Sequence, residues 1–281
     1  MNTLPAAHRA ARDRPLPGAV RTGLLRGRAE IRVFFRNRTA LVFGTLLPLA
    51  LMLLFGTLFK GSVPGTSVPV HDVVVAGVLA SGVMSAAFNT LAIGTALESG
   101  DGTLKRLRGT PLSPSAYFWS KALLVLALCA VQLVLVLAVA WAAFGFVPPV
   151  TPGRWALLLW VFVLGVLANC FLGIGVGSLV TDRRGIGAVL QFPFVLLQFV
   201  SGVYYPFGQL PDALQQVGAL FPLKWLAQGM RAALLPDTLA AAEPAHAWEL
   251  ERVSLALLAW TVGGLVLCVL AQRRLLRKGL S

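Results

Sequence analysis

Residues 98–121, ESGDGTLKRLRGTPLSPSAYFWSK, concentrate the groups of this chain that could contact a soluble partner. The segment holds two acids and four bases, in a chain in which only 12% of the residues are charged. It lies between two apolar runs, each of which is long enough to cross a bilayer. A polar and basic loop in that position is suited to binding a protein outside the membrane.

The centre of this loop, residues 103–108, predicts a helix of one or two turns. The glycines before it can interrupt the preceding helix, and Thr110 with Pro111 ends the new one. Leu104 and Leu107 share one side, whereas the basic side chains face other directions. We interpret the helix as a docking element. The residues assigned to docking are Glu98, Gly102, Thr103, Leu104, Arg106, Leu107, Thr110 and Pro111.

Common catalytic patterns are missing from the sequence. It has no GxxxxGK[ST] loop for a nucleotide phosphate and no Gly-x-Ser-x-Gly elbow. The three histidines lack the spacing of metal ligands, and the three cysteines lie inside apolar runs. The sequence therefore predicts no enzyme activity, no metal site and no cofactor in this chain.

The composition is that of a membrane protein, with 57% hydrophobic residues and a mean hydropathy of +0.78. About 20 apolar residues in a helix cross a bilayer core of about 30 Å. Six runs meet this requirement, so residues 39–272 predict an all-α, polytopic membrane domain with six transmembrane helices. The predicted spans are 40–59, 73–97, 122–146, 155–180, 186–205 and 253–271.

The basic residues are divided unevenly between the two sides of this topology. Nineteen of the 24 lie on the side of the N-terminal tail. By the positive-inside rule this asymmetry predicts that both termini are cytoplasmic. The net charge of +13 then reflects topology and contact with anionic lipid head groups, and it does not indicate nucleic-acid binding.

Residues 19–38 predict an amphipathic helix along the inner membrane surface, with apolar residues on one face and arginines on its flank. An ordinary positive flank before a span is the alternative. The residues assigned to this helix are Arg28, Arg32, Phe34, Phe35 and Arg36. Residues 1–18 are predicted to be a disordered cytoplasmic tail. Residues 273–281 are predicted to be a second cytoplasmic tail.

Residues 206–235 predict an extracellular re-entrant hairpin that dips into the outer leaflet. Prolines divide it into two apolar segments, each too short to span a bilayer. We expect Asp212, Lys224 and Arg231 at its watery rim.

Several neutral polar residues lie inside the predicted spans. Hydrogen bonding between helices is one explanation, and a cavity for a large amphipathic substrate is the other. The residues assigned to a substrate route are Ser85, Asn89, Gln191 and Gln198. All eleven acids lie outside the span centres, which argues against an ion-driven carrier, although backbone carbonyls can also hold sodium.

Three stretches resemble the ABC type-2 permease family. They are the loop 98–121, the run FPFVLLQFVSGVYYPFGQLP at 192–211 and FPLKWLAQGMRAAL at 221–234. With the amphipathic start and the six spans, the resemblance covers about residues 20–275. The subgroup that the chain resembles most is the daunorubicin-resistance type of drug-export permease.

This resemblance implies a permease subunit, not an enzyme, in the bacterial inner (plasma) membrane. It would export a hydrophobic or amphipathic drug or natural product, as in antibiotic resistance. Two permease copies, expected as a homodimer meeting across spans 2 and 5, would bind two separate ABC ATPase subunits that hold ATP and Mg. Residues 103–108 would be the coupling helix, and 206–235 the outer gate. A cysteine at Asn89 or Leu91 is expected to cross-link to its twin. The alternatives are export of a lipid or lipid-linked glycan by the same machinery, and a secondary carrier.

Overall fold

The computed structural model describes residues 18–100, 114–149, 151–180 and 186–278. These residues form helices and no named strand. The predicted tail 1–18 lies outside this part of the chain except for Gly18. The helices are α1 (Ala19–Arg36), α2 (Arg38–Leu41), α3 (Leu47–Leu58), α4 (Val70–Met84), α5 (Thr90–Gly100), α6 (Pro114–Phe144), α7 (Pro152–Leu179), α8 (Ile186–Val200), α9 (Asp212–Ala219), α10 (Pro222–Leu234) and α11 (Leu250–Lys278).

Two π-helical turns join some of these helices into longer rods. Val42–Leu46 connects α2 to α3, and Ser85–Asn89 connects α4 to α5. Pro48 lies in the first turn of α3, directly after the first π turn. A π turn disturbs the regular i to i−4 hydrogen bonds, so both rods have a built-in irregularity.

Four helical segments are long and apolar enough to cross a membrane: Val70–Ser99, Ser115–Phe144, Pro152–Leu179 and Leu250–Ala271. The other two predicted spans form shorter apolar helices, Gly44–Leu58 and Gly187–Val200. The protein is therefore an all-helical, polytopic membrane protein, and its count of six crossings stays a prediction.

The rod α4–α5 is the centre of the bundle. In its most apolar stretch 89% of the residues are buried, compared with 22% for α11. Helix α7 packs directly on this rod through two glycines. A Cβ at Gly173 would lie 2.6 Å from the carbonyl oxygen of Phe88, and one at Gly177 would lie 2.3 Å from that of Ala92. This Gly-x-x-x-Gly pattern therefore packs two helices of the same chain against each other.

Helix α1 packs against the first turns of α6. Its contact face is made by Gly23 and Gly27, which are buried. A Cβ at Gly23 would lie 2.6 Å from the Cβ of Trp119, so a larger residue would push the two helices apart. The predicted interfacial helix therefore has a protein neighbour along one face.

The chain turns sharply after α8, at Gly202, where the backbone has a φ of +68°. This left-handed conformation suits glycine, and it directs the chain toward the short helices α9 and α10. Helix α10 begins with Pro222, a favoured first residue, and packs against α4, α7 and α11. Nearly all of α10 is buried, and its re-entrant position in a membrane stays a prediction.

Several details of the sequence prediction were wrong. Lys224 and Arg231 are only 4% and 1% exposed, so they do not lie at a watery rim. Leu91 is only 1% exposed, so its cysteine variant could not reach a second copy without opening the bundle. The domain bounds stay predictions: residues 114–121 of the predicted loop are helical, and α11 continues through residues 273–278 of the predicted cytoplasmic tail.

Close packing of α7 on the central rod predicts a specific glycine effect. Gly177→Ala should destabilise the protein by about 1–3 kcal/mol, because its new methyl group meets backbone that cannot move freely. Gly263→Ala in α11 is the control, since no atom lies within 4 Å of its added Cβ. Thermal unfolding in detergent should show a lower midpoint for Gly177→Ala only, and equal midpoints would contradict the packing.

Candidate functional site

Four charged side chains meet where α1, α5 and α6 converge. The Lys121 Nζ atom on α6 lies 2.7 Å from Glu98 Oε1 on α5 and 3.2 Å from Glu30 Oε2 on α1. The Arg26 Nε atom lies 2.9 Å from Glu30 Oε1, and its Nη2 lies 3.5 Å from Glu98 Oε1. We call Arg26, Glu30, Glu98 and Lys121 the ion junction. It contains two positive and two negative groups, so its net formal charge is zero.

Tyr117 adds a second layer of contacts to the ion junction. Its hydroxyl donates to Glu98 Oε2 at 3.0 Å and lies 3.4 Å from the Thr95 hydroxyl. Its ring centre lies 5.2 Å from both the Arg26 and the Lys121 charges, within the range of a cation–π interaction. These contacts fix Glu98 at the point where the chain leaves α5 for residues 101–113.

Because the ion junction is largely buried, its four charged groups are stable only when all of them are present. Its side chains are only 6–20% exposed, so each charge depends on its partners for solvation. Removing one member of such a group leaves an uncompensated charge and is costly, whereas the intact group adds little net stability. The junction therefore specifies how α1, α5 and α6 fit together.

A cleft of about 790 Å³ opens beside the ion junction. Its lining comes from α1, the two π-helical rods, and the first turns of α6 and α8, and includes Glu98 and Lys121 at the junction. Ser85, Asn89 and Gln191, three of the four residues assigned to a substrate route, line it. The walls are otherwise mostly apolar and include Phe34.

Asn89 links the central rod to α8 across this cleft. Its side-chain nitrogen donates to Gln191 Oε1 at 2.7 Å. Its side-chain oxygen is buried and has no hydrogen-bond partner among the described residues. Ser85 and Asn89 are the first and last residues of the second π turn, a feature often found at functional sites. One amide of the mostly apolar cleft wall therefore has an oxygen without a partner among the described residues.

Gln198 lies apart from this cleft. Its side-chain oxygen accepts hydrogen bonds from Ser81 at 2.7 Å and from Tyr204 at 2.6 Å. It therefore ties α8 to α4 by hydrogen bonding between helices, which is one of the two explanations for polar residues inside the predicted spans.

The residues assigned to the interfacial helix are divided between two surroundings. The arginines at 28, 32 and 36 are exposed. Phe34 is partly buried and lines the cleft, and Phe35, which is 37% exposed, packs edge-on against it. The docking residues Gly102, Thr103, Leu104, Arg106, Leu107, Thr110 and Pro111 lie outside the described residues.

Sequence reasoning missed Arg26, Glu30, Tyr117 and Lys121 as members of the site. One signal was available, because Glu30 is the only acid between Asp13 and Asp72 and has Arg26 one turn before it. Lys121 is likewise the only base between Arg108 and Arg154. Isolated charges next to apolar spans favour buried pairing.

A second ionic contact stabilises the opposite end of the bundle. Arg231 on α10 lies 2.7 Å from Glu243, and its Nη1 donates to the Gly202 carbonyl oxygen at 3.3 Å. Lys224 donates to Gln228 Oε1 at 2.6 Å, and its Nζ atom lies 3.5 Å from the centre of the Trp225 ring. These contacts hold α10, the turn after α8 and residues 237–249 together.

Comparison with known proteins identifies the family of this chain. The family described as ABC-2 type transporter matches residues 26–235. None of the curated proteins matches the chain. The chain belongs to the ABC-2 type transporter family, whose members are membrane components of transporters. Membership implies an ABC ATPase partner and, in general, dimeric assembly.

The ion junction predicts strong coupling between Lys121 and Glu98. Lys121→Met should lower the free energy of unfolding by about 3–5 kcal/mol, because two carboxylates lose their shared cation. Lys121→Met combined with Glu98→Gln should cost less than the sum of the two single changes. Lys60→Met, at an exposed lysine, is the matched control. Thermal unfolding measures all four variants, and strictly additive effects would contradict the junction.

Proposed function

We propose that this chain is the permease half of an ATP-driven exporter in the bacterial inner membrane. It would cross the membrane six times, with both termini in the cytoplasm, and move a hydrophobic or amphipathic compound outward. The observation that carries this proposal is the cleft of about 790 Å³ in direct contact with the ion junction. The cleft thereby adjoins the end of α5 and the start of α6, the two helices that flank the docking loop (residues 101–113).

The chemistry of the cleft supports a drug-like or natural-product substrate. Its volume falls within the range of about 300–1,000 Å³ that is common for small-molecule sites. Its walls are mostly apolar, its charges balance, and the free Asn89 oxygen can accept a hydrogen bond from a hydroxyl or amine. A largely apolar compound with one such donor would satisfy this lining.

ATP and Mg would bind to the partner, because this chain has no phosphate loop. Two copies of that ATPase would contact residues 103–108 in each of two permease copies. Movement of the docking loop would act on α5 and α6, which flank it, and the ion junction would carry α1 with them. The π turn Ser85–Asn89 is where the rod α4–α5 can bend and so change the cleft.

On the outer side, residues 206–235 would form the gate, as a hairpin within the outer leaflet. The buried Arg231–Glu243 pair would keep this gate attached to residues 237–249. The positive-inside asymmetry supports this orientation.

Filling the cleft should block transport without unfolding the protein. Gly94 lines the cleft, and no atom lies within 4 Å of a Cβ added there, so Gly94→Phe can be accommodated. We expect ATP-dependent transport of a fluorescent amphipathic amine to fall at least about tenfold in vesicles that contain the ATPase, since about 1.4 kcal/mol of lost binding corresponds to tenfold.

Gly263→Phe is the matched control, because Gly263 also has open space around its Cβ and lies outside the cleft. It should transport at the rate of the unchanged protein, and both variants should keep their thermal midpoints. Wild-type transport by Gly94→Phe would show that the cleft is not the route.

Changing the docking loop should uncouple the two subunits. Leu104→Asp with Leu107→Asp places two charges on the apolar side of the predicted helix and should abolish both substrate-stimulated ATP hydrolysis and transport. The loop lies outside the lipid, so insertion should be retained. The control is Leu104→Ile with Leu107→Ile, which keeps an apolar side. Normal transport by the aspartate variant would contradict the coupling role.

A further inference from the structure

A second cavity, of about 260 Å³, lies between α4, α6, α7 and α10. It shares no lining residue with the cleft at the ion junction. Its floor is formed by buried side chains, including Val83, Leu158 and Met230. Its rim is formed by Trp155 and Leu159, which are 42% and 63% exposed. The cavity is therefore a pocket that opens on the outer surface of the helix bundle.

The rim lies on a helix of membrane-spanning length, which favours an opening toward lipid over one toward water. Its lining residues are apolar apart from Gln132. Even an apolar cavity of about 150 Å³ stays dry and binds a small hydrocarbon, so a larger one of this kind favours an apolar occupant over water. The occupant would come from the bilayer.

Gln132 adds a specific polar requirement to the pocket. It is 5% exposed, and its side-chain nitrogen has no hydrogen-bond partner among the described residues. Gly82 makes room for it, because a Cβ at Gly82 would lie 2.5 Å from Gln132 Cγ. A buried donor without a partner is costly, and a ligand with an acceptor would remove that cost.

The depth of Gln132 distinguishes between two kinds of occupant. It lies twelve residues before the end of α6 at Phe144, which corresponds to about 18 Å along the helix. The ester carbonyls of a phospholipid lie near the membrane surface, so an inserted acyl chain would reach Gln132 with methylene groups only. A compact molecule that carries its acceptor into the pocket fits better.

We propose that this pocket binds a small hydrophobic molecule, drawn from the bilayer, whose carbonyl oxygen accepts a hydrogen bond from Gln132. The site is separate from the proposed transport route and needs neither ATP nor the ATPase. The apolar body of the ligand occupies the floor beneath Trp155 and Leu159.

The test measures saturable binding of the naphthalene ketone 6-propionyl-2-(dimethylamino)naphthalene to the full-length protein in nanodiscs, with empty nanodiscs as background. The emission of this dye shifts to the red when its carbonyl accepts a hydrogen bond. Leu133→Phe fills the pocket and should weaken binding at least about tenfold. The neighbouring Val134→Phe, at a position that is 65% exposed and outside the pocket, should bind as the unchanged protein does.

Gln132→Leu keeps the volume and removes the donor. It should bind about tenfold more weakly and lose the red shift of the bound dye. Equal affinity in all variants, or an unchanged emission in Gln132→Leu, would overturn the proposal, as would full displacement of the dye by a short-chain phosphatidylcholine. Thermal midpoints confirm that each variant is folded. A protein that binds the dye as expected but transports nothing would refute only the proposed function.

Discussion

Pairing of two carboxylates with two cations at the ion junction determines how α1, α5 and α6 are joined at one end of the helix bundle. Because these groups are largely buried, they are stable only together, and they come from three different helices. Helix α1 is therefore held in place relative to α6. The close glycine contacts of Gly23 and Gly27 depend on the same arrangement, since they bring the charged side chains within reach of one another. The side chains of the ion junction also form part of the wall of the cleft.

At the centre of the molecule, small residues allow helices to pack closely. Polar side chains there form hydrogen bonds that limit sliding of one helix along another. Glycines of α7 lie against the backbone of the central rod, and neutral hydrogen bonds from Ser81 and Asn89 connect that rod to α8. Neutral bonds of this kind carry a small desolvation cost compared with ion pairs. Such bonds therefore cost less to break than the buried ionic contacts at both ends of the bundle.

Much of the architecture could be predicted from local sequence patterns, and the partners of individual side chains could not. Hydropathy identified the apolar helices. Asn89 lies within hydrogen-bond distance of Gln191, and the assignment of both residues to a substrate route stays a prediction. The burial of Lys224 and Arg231 escaped prediction because their partners, Gln228 and Glu243, are recognisable only once α10 is packed. Leu91 was misplaced for a related reason: periodicity shows which face of a helix is apolar, but it does not show whether a neighbouring helix covers that face.

The π turn at Ser85–Asn89 also constrains how this sequence can change. An α-helix advances about 100° per residue, so the extra residue of one π turn sets the rotation of everything that follows it. Loss of a single residue within this turn would restore regular helix and rotate α5 by about that angle. Glu98 would then face away from Lys121, and the glycines of α7 would meet side chains in place of backbone. We therefore expect the π turn to tolerate substitutions far better than insertions or deletions.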